Sequence, residues 1–279
     1  MDQVSVESGL SDLHLPFIRY YPSIDSTNDE AWRWVERGAP HAALVIADKQ
    51  TAGRGRRKRR WVTIPHSGLA FSLVLRNISS EPVSLNRLTG LGALATCQAL
   101  ANLYSLPAMV KWPNDILLEQ RKAGGVLVES RWNGDELSAV VIGIGINIAP
   151  ESISPQHLPA AELTIPAACV EGILGRAVDR LELLHGILQE FFRWLPRLAS
   201  LEFIRTWESC LAYRGQWVEL TRGVERPTDV HSQARPLVTM GKVVGLNQDG
   251  SLRLLTGSGE LESAQAGEIH LRPVLPPPG

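Results

Sequence analysis

Residues 141–148 read Val-Ile-Gly-Ile-Gly-Ile-Asn-Ile, and this alternation constrains the fold more than any other stretch of the chain. Side chains along a strand point alternately to opposite faces, so Ile142, Ile144, Ile146 and Ile148 line one face. Gly143, Gly145 and Asn147 line the other, which is bare backbone ending in an amide. Glycine weakens a strand, so two on one face call for a close neighbour, commonly a ligand or another backbone. Two readings stay open: a floor for a flat ligand, or the seat of a packed helix. A dinucleotide fingerprint is the weaker reading, because this Gly-x-Gly lies within a strand rather than before a helix.

Around that strand the pattern predicts an α+β fold with several adjacent strands, not strict βαβ alternation. Strands are expected at 17–21, 44–47, 69–75, 109–112, 125–129 and 139–148, with 116–118 leading from the fourth to the fifth. Ser26-Thr27-Asn28-Asp29-Glu30 reads as a helix start, Thr27 and Glu30 fitting a capping box and Gly38 the stop. Ala31, Trp34 and Val35 form the expected buried stripe. Residues 88–104 are apolar at helical spacing, with Leu88, Leu91, Leu94 and Ala95 on one side. A proline-rich loop (150–166) and two further helices (176–195 and 201–213) complete a domain at 16–213, preceded by a loosely ordered lead-in at 1–15. From 214 to 274 the character changes to a small all-β module, with strands at 217–221, 242–246, 252–255 and 268–271. Asp249-Gly250 and Gly257-Ser258-Gly259 punctuate it as turns. Residues 275–279 form a tail.

Composition narrows the class. No stretch approaches the roughly 20 apolar residues of a membrane span. Residues 1–10 lack the basic and apolar regions of a secretory signal. Cys97, Cys169 and Cys210 are odd in number and widely spaced, which argues against a disulfide framework or a zinc site and fits a reducing cytoplasm. The net charge is −1, but six of the seven residues from Arg54 to Arg60 are basic; the other 22 basic residues face 29 acidic ones. Charge focused on one loop suits a small anionic ligand better than the broad basic face of a general nucleic-acid binder.

Four segments carry candidate chemistry. In Gln50-Thr51-Ala52-Gly53-Arg54-Gly55-Arg56-Arg57-Lys58-Arg59-Arg60-Trp61, glycines beside arginines let backbone N–H groups and guanidinium forks close on an anion together. Like charges would keep this loop mobile until a phosphate or carboxylate arrives, and Trp61 offers a face on which a base can stack. A solvated charge run or a nucleic-acid patch are the bland alternatives; a Walker loop is excluded by its spacing. Lys111-Trp112-Pro113-Asn114-Asp115 ends a strand in polar groups, Asp115 suited to help hold Mg²⁺ and Asn114 to bond a ligand, with an Asx turn as the alternative. In Arg121-Lys122-Ala123-Gly124-Gly125, Lys122 can set an ammonium against a carboxylate or α-phosphate, unless the segment is a hairpin turn with a surface lysine. The fourth segment is the glycine-faced strand itself.

Taken in order, Ser26-Thr27-Asn28, Gly53-Arg54-Gly55-Arg56 with Trp61, Lys111 to Asp115, Lys122 to Glu129 and Gly143 to Asn147 resemble the biotin protein ligases, from about Tyr20 to Arg272. Residues 267–272 look like the family's closing strand. The resemblance implies a mixed-sheet catalytic domain flanked by helices, of the class II synthetase-like kind shared with lipoate ligases, and a C-terminal SH3-like β-barrel. It implies a two-step reaction: biotin and ATP give biotinyl-5′-AMP, and a lysine of a biotin carboxyl carrier protein then takes the biotin. Ser26, Thr27, Asn28 and Gln50 would contact the biotin rings, and Gly125 would leave room for them. Gly53, Arg54, Gly55 and Arg56 would close over the carboxylate and phosphate, with Arg57 also near the nucleotide. Lys122 would hold the reacting oxygens. Lys111 and Asp115 would act at the phosphates and Mg²⁺, Trp61 would cover the adenine, and Asn114 and Asn147 would bond the adenylate. Asp115 is also the candidate acceptor of the carrier lysine's proton.

The sequence departs from the family at Lys58, where a glycine is usual and a positive φ would add strain, and at Thr63-Ile64-Pro65-His66-Ser67-Gly68. Only 25 residues precede Ser26, fewer than the ~50 of a small domain, so no operator-binding function is expected. A cytoplasmic enzyme without a membrane partner is the expectation, with a homodimer left open. Lipoate or octanoate ligation, nucleic-acid binding through residues 54–60, and an inactive adenylate-binding relative are the rivals.

Overall fold

The computed structural model describes residues 1–76, 84–157, 165–222, 237–265 and 269–275. A seven-stranded sheet is formed by β1 (Ile18–Tyr21), β2 (Ala43–Ala47), β3 (Gly68–Arg76), β4 (Met109–Lys111), β5 (Asp115–Leu118), β6 (Arg121–Asn133) and β7 (Glu136–Asn147). Its order is β1-β2-β3-β7-β6-β5-β4. β1 and β2 are parallel, and the remaining pairs are antiparallel. The helices are α1 (Gln3–Gly9), α2 (Thr27–Glu36), α3 (Leu85–Tyr104), α4 (Val170–Leu174), α5 (Arg180–Trp194) and α6 (Leu201–Ser209).

The alternation in β7 sorts the sheet into two unlike faces. Ile142, Ile144 and Ile146 stand in register with Leu73, Phe71 and Leu69 of β3. Together with Val126, they share one core with Leu88, Leu91, Leu94 and Ala95 of α3 and Leu184, Ile187, Leu188 and Phe191 of α5. Each such side chain stabilises the fold by about 1.5–3 kcal/mol through burial. Gly92 of α3 brings that helix close to the sheet, since a Cβ there would lie 3.0 Å from Val126. On the opposite face, the stripe Ala31, Trp34 and Val35 of α2 packs on Ala43, Val45, Val74, Ala139 and Val141. The first turn of the same helix reaches Gly143, which leaves Gly145 of β7 to other groups.

Local chemistry explains where the elements begin and end, and corrects two expectations. The N-cap of α2 is Ser26, whose side chain accepts from the Asp29 N–H at 3.4 Å; Thr27 is already inside the helix. Glu30 does not close a capping box, because it accepts from Tyr21 Oη and Trp34 Nε1 instead. The helix stops as expected at Gly38, which has φ +83°. The Gly38 N–H bonds Val35 O and the Ala39 N–H bonds Trp34 O, the paired closure of a Schellman motif.

Residues 1–15 are not a loose lead-in. Asp2 and Ser5 form a reciprocal capping box for α1, and Val6 and Leu10, one turn apart, are fully buried in the main core. The Gln3 amide donates to Ile18 O and accepts from the Tyr20 N–H, so it closes the free edge of β1 as a peptide group would. Two apolar residues are too few to announce such a helix from periodicity.

The C-terminal region is a five-stranded antiparallel sheet in the order β11-β10-β9-β8-β12. Its strands are β8 (Trp217–Arg222), β9 (Leu237–Leu246), β10 (Leu252–Thr256), β11 (Leu261–Ala264) and β12 (Ile269–Pro273). β11 was not expected. The edge strands β11 and β12 are not paired with each other among the described residues, so the region is a sheet and its closure into a barrel is not seen. Residues 267–268 of the closing strand and the tail from 276 lie outside the described residues, as does part of the proline-rich loop (158–164).

The β9–β10 turn docks on the larger domain. Gly250 O accepts from Trp112 Nε1 at 3.0 Å, and Gln265 Oε1 accepts from Asn86 Nδ2 at 2.9 Å. Gly250 has φ +80°, and a Cβ on it would lie 2.8 Å from Trp207, so both backbone conformation and space require glycine.

Candidate active site

Pairing across the sheet places Lys111, Asp115, Gly125, Gly145 and Ala70 in one row, one residue from each of five strands. The row lies on the bare face of β7. Two residues further along, Gly143 stands beside Ser72. This geometry lets small residues form a floor while the flanking strands raise charged groups at its end.

The helix-seat reading of the glycine face holds at Gly143, while Gly145 lies under one of the chain's own rings. A Cβ at Gly143 would fall 2.2 Å from Asn28 Oδ1, so this glycine seats the first turn of α2. A Cβ at Gly145 would fall 2.5 Å from the Trp61 indole, so that ring lies directly on the strand. The two glycines of β6 also divide. Gly124 is required by the backbone of β7, since its Cβ would approach Gly145 O to 2.8 Å. Gly125 faces Lys122, with nothing nearer than 3.6 Å, and keeps open space.

At one end of the floor is a connected polar cluster. The Thr27 N–H and Oγ1 both donate to Gln50 Oε1 (2.8 and 3.1 Å), and Gln50 Nε2 donates to Thr63 Oγ1 at 3.3 Å. Ser72 Oγ lies within hydrogen-bonding distance of Thr27 Oγ1 and Asn28 Oδ1 (2.8 and 2.6 Å). Asn28 Nδ2 donates to Glu129 at 2.8 Å. Ser26, Thr27 and Asn28 are buried. Burial without partners would cost each group about 1–3 kcal/mol, so the cluster fixes every orientation.

The basic segment is a folded hairpin. The Trp61 N–H bonds Gly53 O and the Gly55 N–H bonds Arg59 O, with Arg54 and Arg60 bridged between them. Two of its charges are engaged: Arg54 pairs with Asp29 (2.5 Å) and Glu129 (3.1 Å), and Arg56 donates to Asn114 Oδ1 at 3.1 Å, while Arg59 and Arg60 are exposed. These acceptors offset part of the like-charge repulsion within the loop. Gly53 packs so tightly that a Cβ would lie 2.5 Å from Trp61 O. The left-handed residue is Arg57 (φ +57°), not Lys58, so the strain expected at Lys58 does not arise there.

At the other end of the floor three cations, Lys122, Lys111 and Arg56, meet one carboxylate. Lys122 Nζ pairs with Asp115 and stands 6.0 Å from the Trp61 ring centroid. Burial pushes the Lys111 ammonium below its usual pKa range, with Asp115 opposing and Lys122 and Arg59 reinforcing the shift. Burial likewise lowers the Arg56 guanidinium, helped by its neighbours Arg57 and Arg59 and opposed by Asp115. The Trp112–Pro113 peptide is cis. Asn114 Oδ1 accepts from Arg56 while its Nδ2 donates to Val126 O at 3.1 Å. Asn147 Nδ2 donates to Ala168 O at 3.1 Å, which leaves its carbonyl oxygen as the group available to a ligand.

Asp115 alone is a poor metal ligand set. Among the described residues no three His, Cys, Asp or Glu side chains cluster to hold a metal ion, and the one carboxylate here is committed to Lys122. A resident Mg²⁺ does not fit this donor set.

Sequence reading missed Ser72 and Asp29, and left Glu129 without a role. Ser72 carried a signal, a lone polar residue within Leu69-Ala70-Phe71-Ser72-Leu73-Val74. Glu129 carried none, since its partners Asn28, Trp32 and Arg54 are distant in sequence.

The sequence pattern of the Biotin/lipoate A/B protein ligase family matches residues 20–147. The chain is 34% identical over 248 residues to the biotin–[acetyl-CoA-carboxylase] ligase of Paracoccus denitrificans, covering 88% of this chain and 96% of that one. It is 31% identical over 253 residues to the bifunctional ligase/repressor BirA of Bacillus subtilis, covering 90% of this chain and 73% of that protein. The biotin protein ligase of Aquifex aeolicus, solved in complex with biotin and ATP, superposes with a TM-score of 0.75 at 28% identity, over 92% of this chain and 99% of that one. Fold and sequence together make this chain a member of the Biotin/lipoate A/B protein ligase family. Within it, the chain belongs with the biotin protein ligases.

Proposed function

We propose that this chain joins biotin to ATP to form biotinyl-5′-AMP and then transfers the biotin to a lysine of a biotin carboxyl carrier protein in the cytoplasm. The observation that carries the reading is the convergence of Arg56, Lys111 and Lys122 on Asp115, at the end of a glycine floor covered by Trp61. In the first step a carboxylate oxygen of biotin attacks the α-phosphorus of ATP. A P–O bond forms, the bond to pyrophosphate breaks, and pyrophosphate leaves with the electron pair. The carboxylate is already ionised at neutral pH, so no general base is required. Partly buried cations stabilise the charge that develops on the phosphate far more than they would in water. Mg²⁺ enters with the polyphosphate as part of the substrate, in keeping with the poor donor set around Asp115.

Gly125 leaves the space beside Lys122, the Thr27, Asn28, Gln50 and Ser72 cluster offers donors and acceptors for the biotin rings, and Asn114 and Asn147 are the amides assigned to bond the adenylate in this reading. In the second step the carrier lysine nitrogen attacks the acyl carbon and an amide forms. AMP leaves, and the nitrogen gives up a proton. Asp115, beside Lys122, is the candidate acceptor of that proton. Arg54 and Arg56, two of the six basic residues of the loop, are engaged with Asp29, Glu129 and Asn114. Incubating the protein with biotin, MgATP and a biotin carboxyl carrier domain tests the reading by mass spectrometry. A mass gain of one biotin on a single carrier lysine supports it. An unmodified carrier, or one modified by lipoate or octanoate in place of biotin, refutes it.

A further inference from the structure

The loop that carries Gln50, the Gly53–Trp61 hairpin and Thr63 leaves the sheet after β2 and returns at β3. Its two stems are tied together away from the site. Asp48, the first residue past β2, bonds the Tyr21 O through its N–H, and its side chain is only 5% exposed. The Asp48 carboxylate accepts from the His66 N–H at 3.1 Å and faces the His66 Nδ1 at 3.1 Å. Arg180, the first residue of α5 and 11% exposed, pairs with the same carboxylate and also donates to Gly68 O at 3.2 Å, the first carbonyl of β3. His66 has φ +65°, an uncommon conformation for a residue with a Cβ.

We propose that Asp48, Arg180 and His66 form a clasp that sets the position of the loop over the site, so that they are positioning residues for biotin capture. One buried carboxylate holds the outgoing stem, the incoming stem and the N-terminus of α5. Loosening it lets the stems separate, and Gln50, two residues from Asp48, then loses its fixed relation to Thr27. A misplacement of about 1 Å costs a reacting system on the order of a hundredfold, so a partial loosening corresponds to roughly tenfold. The inference rests on the ligase reading for its effect on catalysis, but not for its effect on the loop.

The test uses Asp48→Asn and His66→Asn. Asparagine tolerates left-handed φ, and the His66 side chain is 78% exposed, so the second variant keeps the fold. Trypsin cleavage within residues 54–60 is followed by mass spectrometry well below each melting temperature, and KM for biotin and kcat are measured by pyrophosphate exchange. The expected result for Asp48→Asn is cleavage about tenfold faster and KM for biotin raised by about tenfold, with a smaller change in kcat. His66→Asn should move both readouts the same way to a lesser degree. Unchanged cleavage in both variants overturns the clasp, as does faster cleavage with an unaltered KM for biotin. If Asp48→Asn does not fold, His66→Asn decides alone. Absence of biotin-dependent exchange in the unmodified protein would defeat the ligase reading instead, and the cleavage rates would still decide the clasp.

Discussion

Gly145→Ala separates a structural glycine from a functional one. The added Cβ would meet the Trp61 indole at 2.5 Å from Cε2 and 2.7 Å from Cζ2 and Nε1. Carbon atoms rest at about 3.5–4.0 Å, so the ring must retreat by about 1 Å. Overpacking of this kind costs about 1–3 kcal/mol. The lower end applies here, because Trp61 is half-buried at the end of a hairpin and held there by its N–H bond to Gly53 O. A loss of about 1 kcal/mol lowers Tm by roughly 2–4 °C for a domain of this size. The catalytic effect is larger: a ring displaced by about 1 Å over the nucleotide position costs on the order of a hundredfold in kcat/KM for ATP. Thermal melting and pyrophosphate exchange on the same preparation give both numbers. Exchange at the unmodified rate, or a large loss of Tm with intact exchange, would refute the placement of Trp61 on the floor.

Gly125→Ala should behave differently. Its Cβ has no neighbour within 3.6 Å, so Tm should stay within about 1 °C while KM for biotin rises by about tenfold or more. An unchanged KM would mean that no ligand lies there. Lys111 predicts a pH dependence with a definite sign. Burial lowers its pKa in the folded state. Between the folded and unfolded values the unfolded chain therefore binds more protons, and this group's contribution to stability rises with pH across that window. The same shift removes its charge early, so kcat should fall on the alkaline side. Lys111→Arg should move that limb upward, and a limb that does not move excludes Lys111 as its origin. Trp112→Phe deletes the donor to Gly250 O at 3.0 Å and leaves a buried carbonyl unsatisfied, which costs about 1–3 kcal/mol. Chemical denaturation should read that loss, and an unchanged stability would show that the C-terminal sheet does not lean on this bond.

Local periodicity carried much of the fold. The isoleucine–glycine alternation gave the central strand and its two faces, and Gly38 gave the end of α2. What it could not carry was anything settled by partners distant in sequence. The burial of α1 depends on α5 and β1. The choice of Ser26 over Thr27 as N-cap depends on Gln50 and Ser72 claiming Thr27. At the site, the resemblance to the biotin protein ligases named the groups that meet around Asp115. The inward pairing of Arg54, the left-handed residue at Arg57 rather than Lys58, and the tie between Asp48, His66 and Arg180 required coordinates. Each is a contact between segments whose spacing encodes no period.

The central claim is the adenylation of biotin. Biotin-dependent exchange of labelled pyrophosphate into ATP by the purified protein measures that half-reaction without a carrier. Lipoate and octanoate serve as comparison acids, and Arg56→Ala and Lys122→Ala as controls on the site. Exchange with biotin alone, abolished or reduced by more than about a hundredfold in both variants, is the result predicted. Exchange with no acid, or with lipoate or octanoate in preference to biotin, would contradict the account.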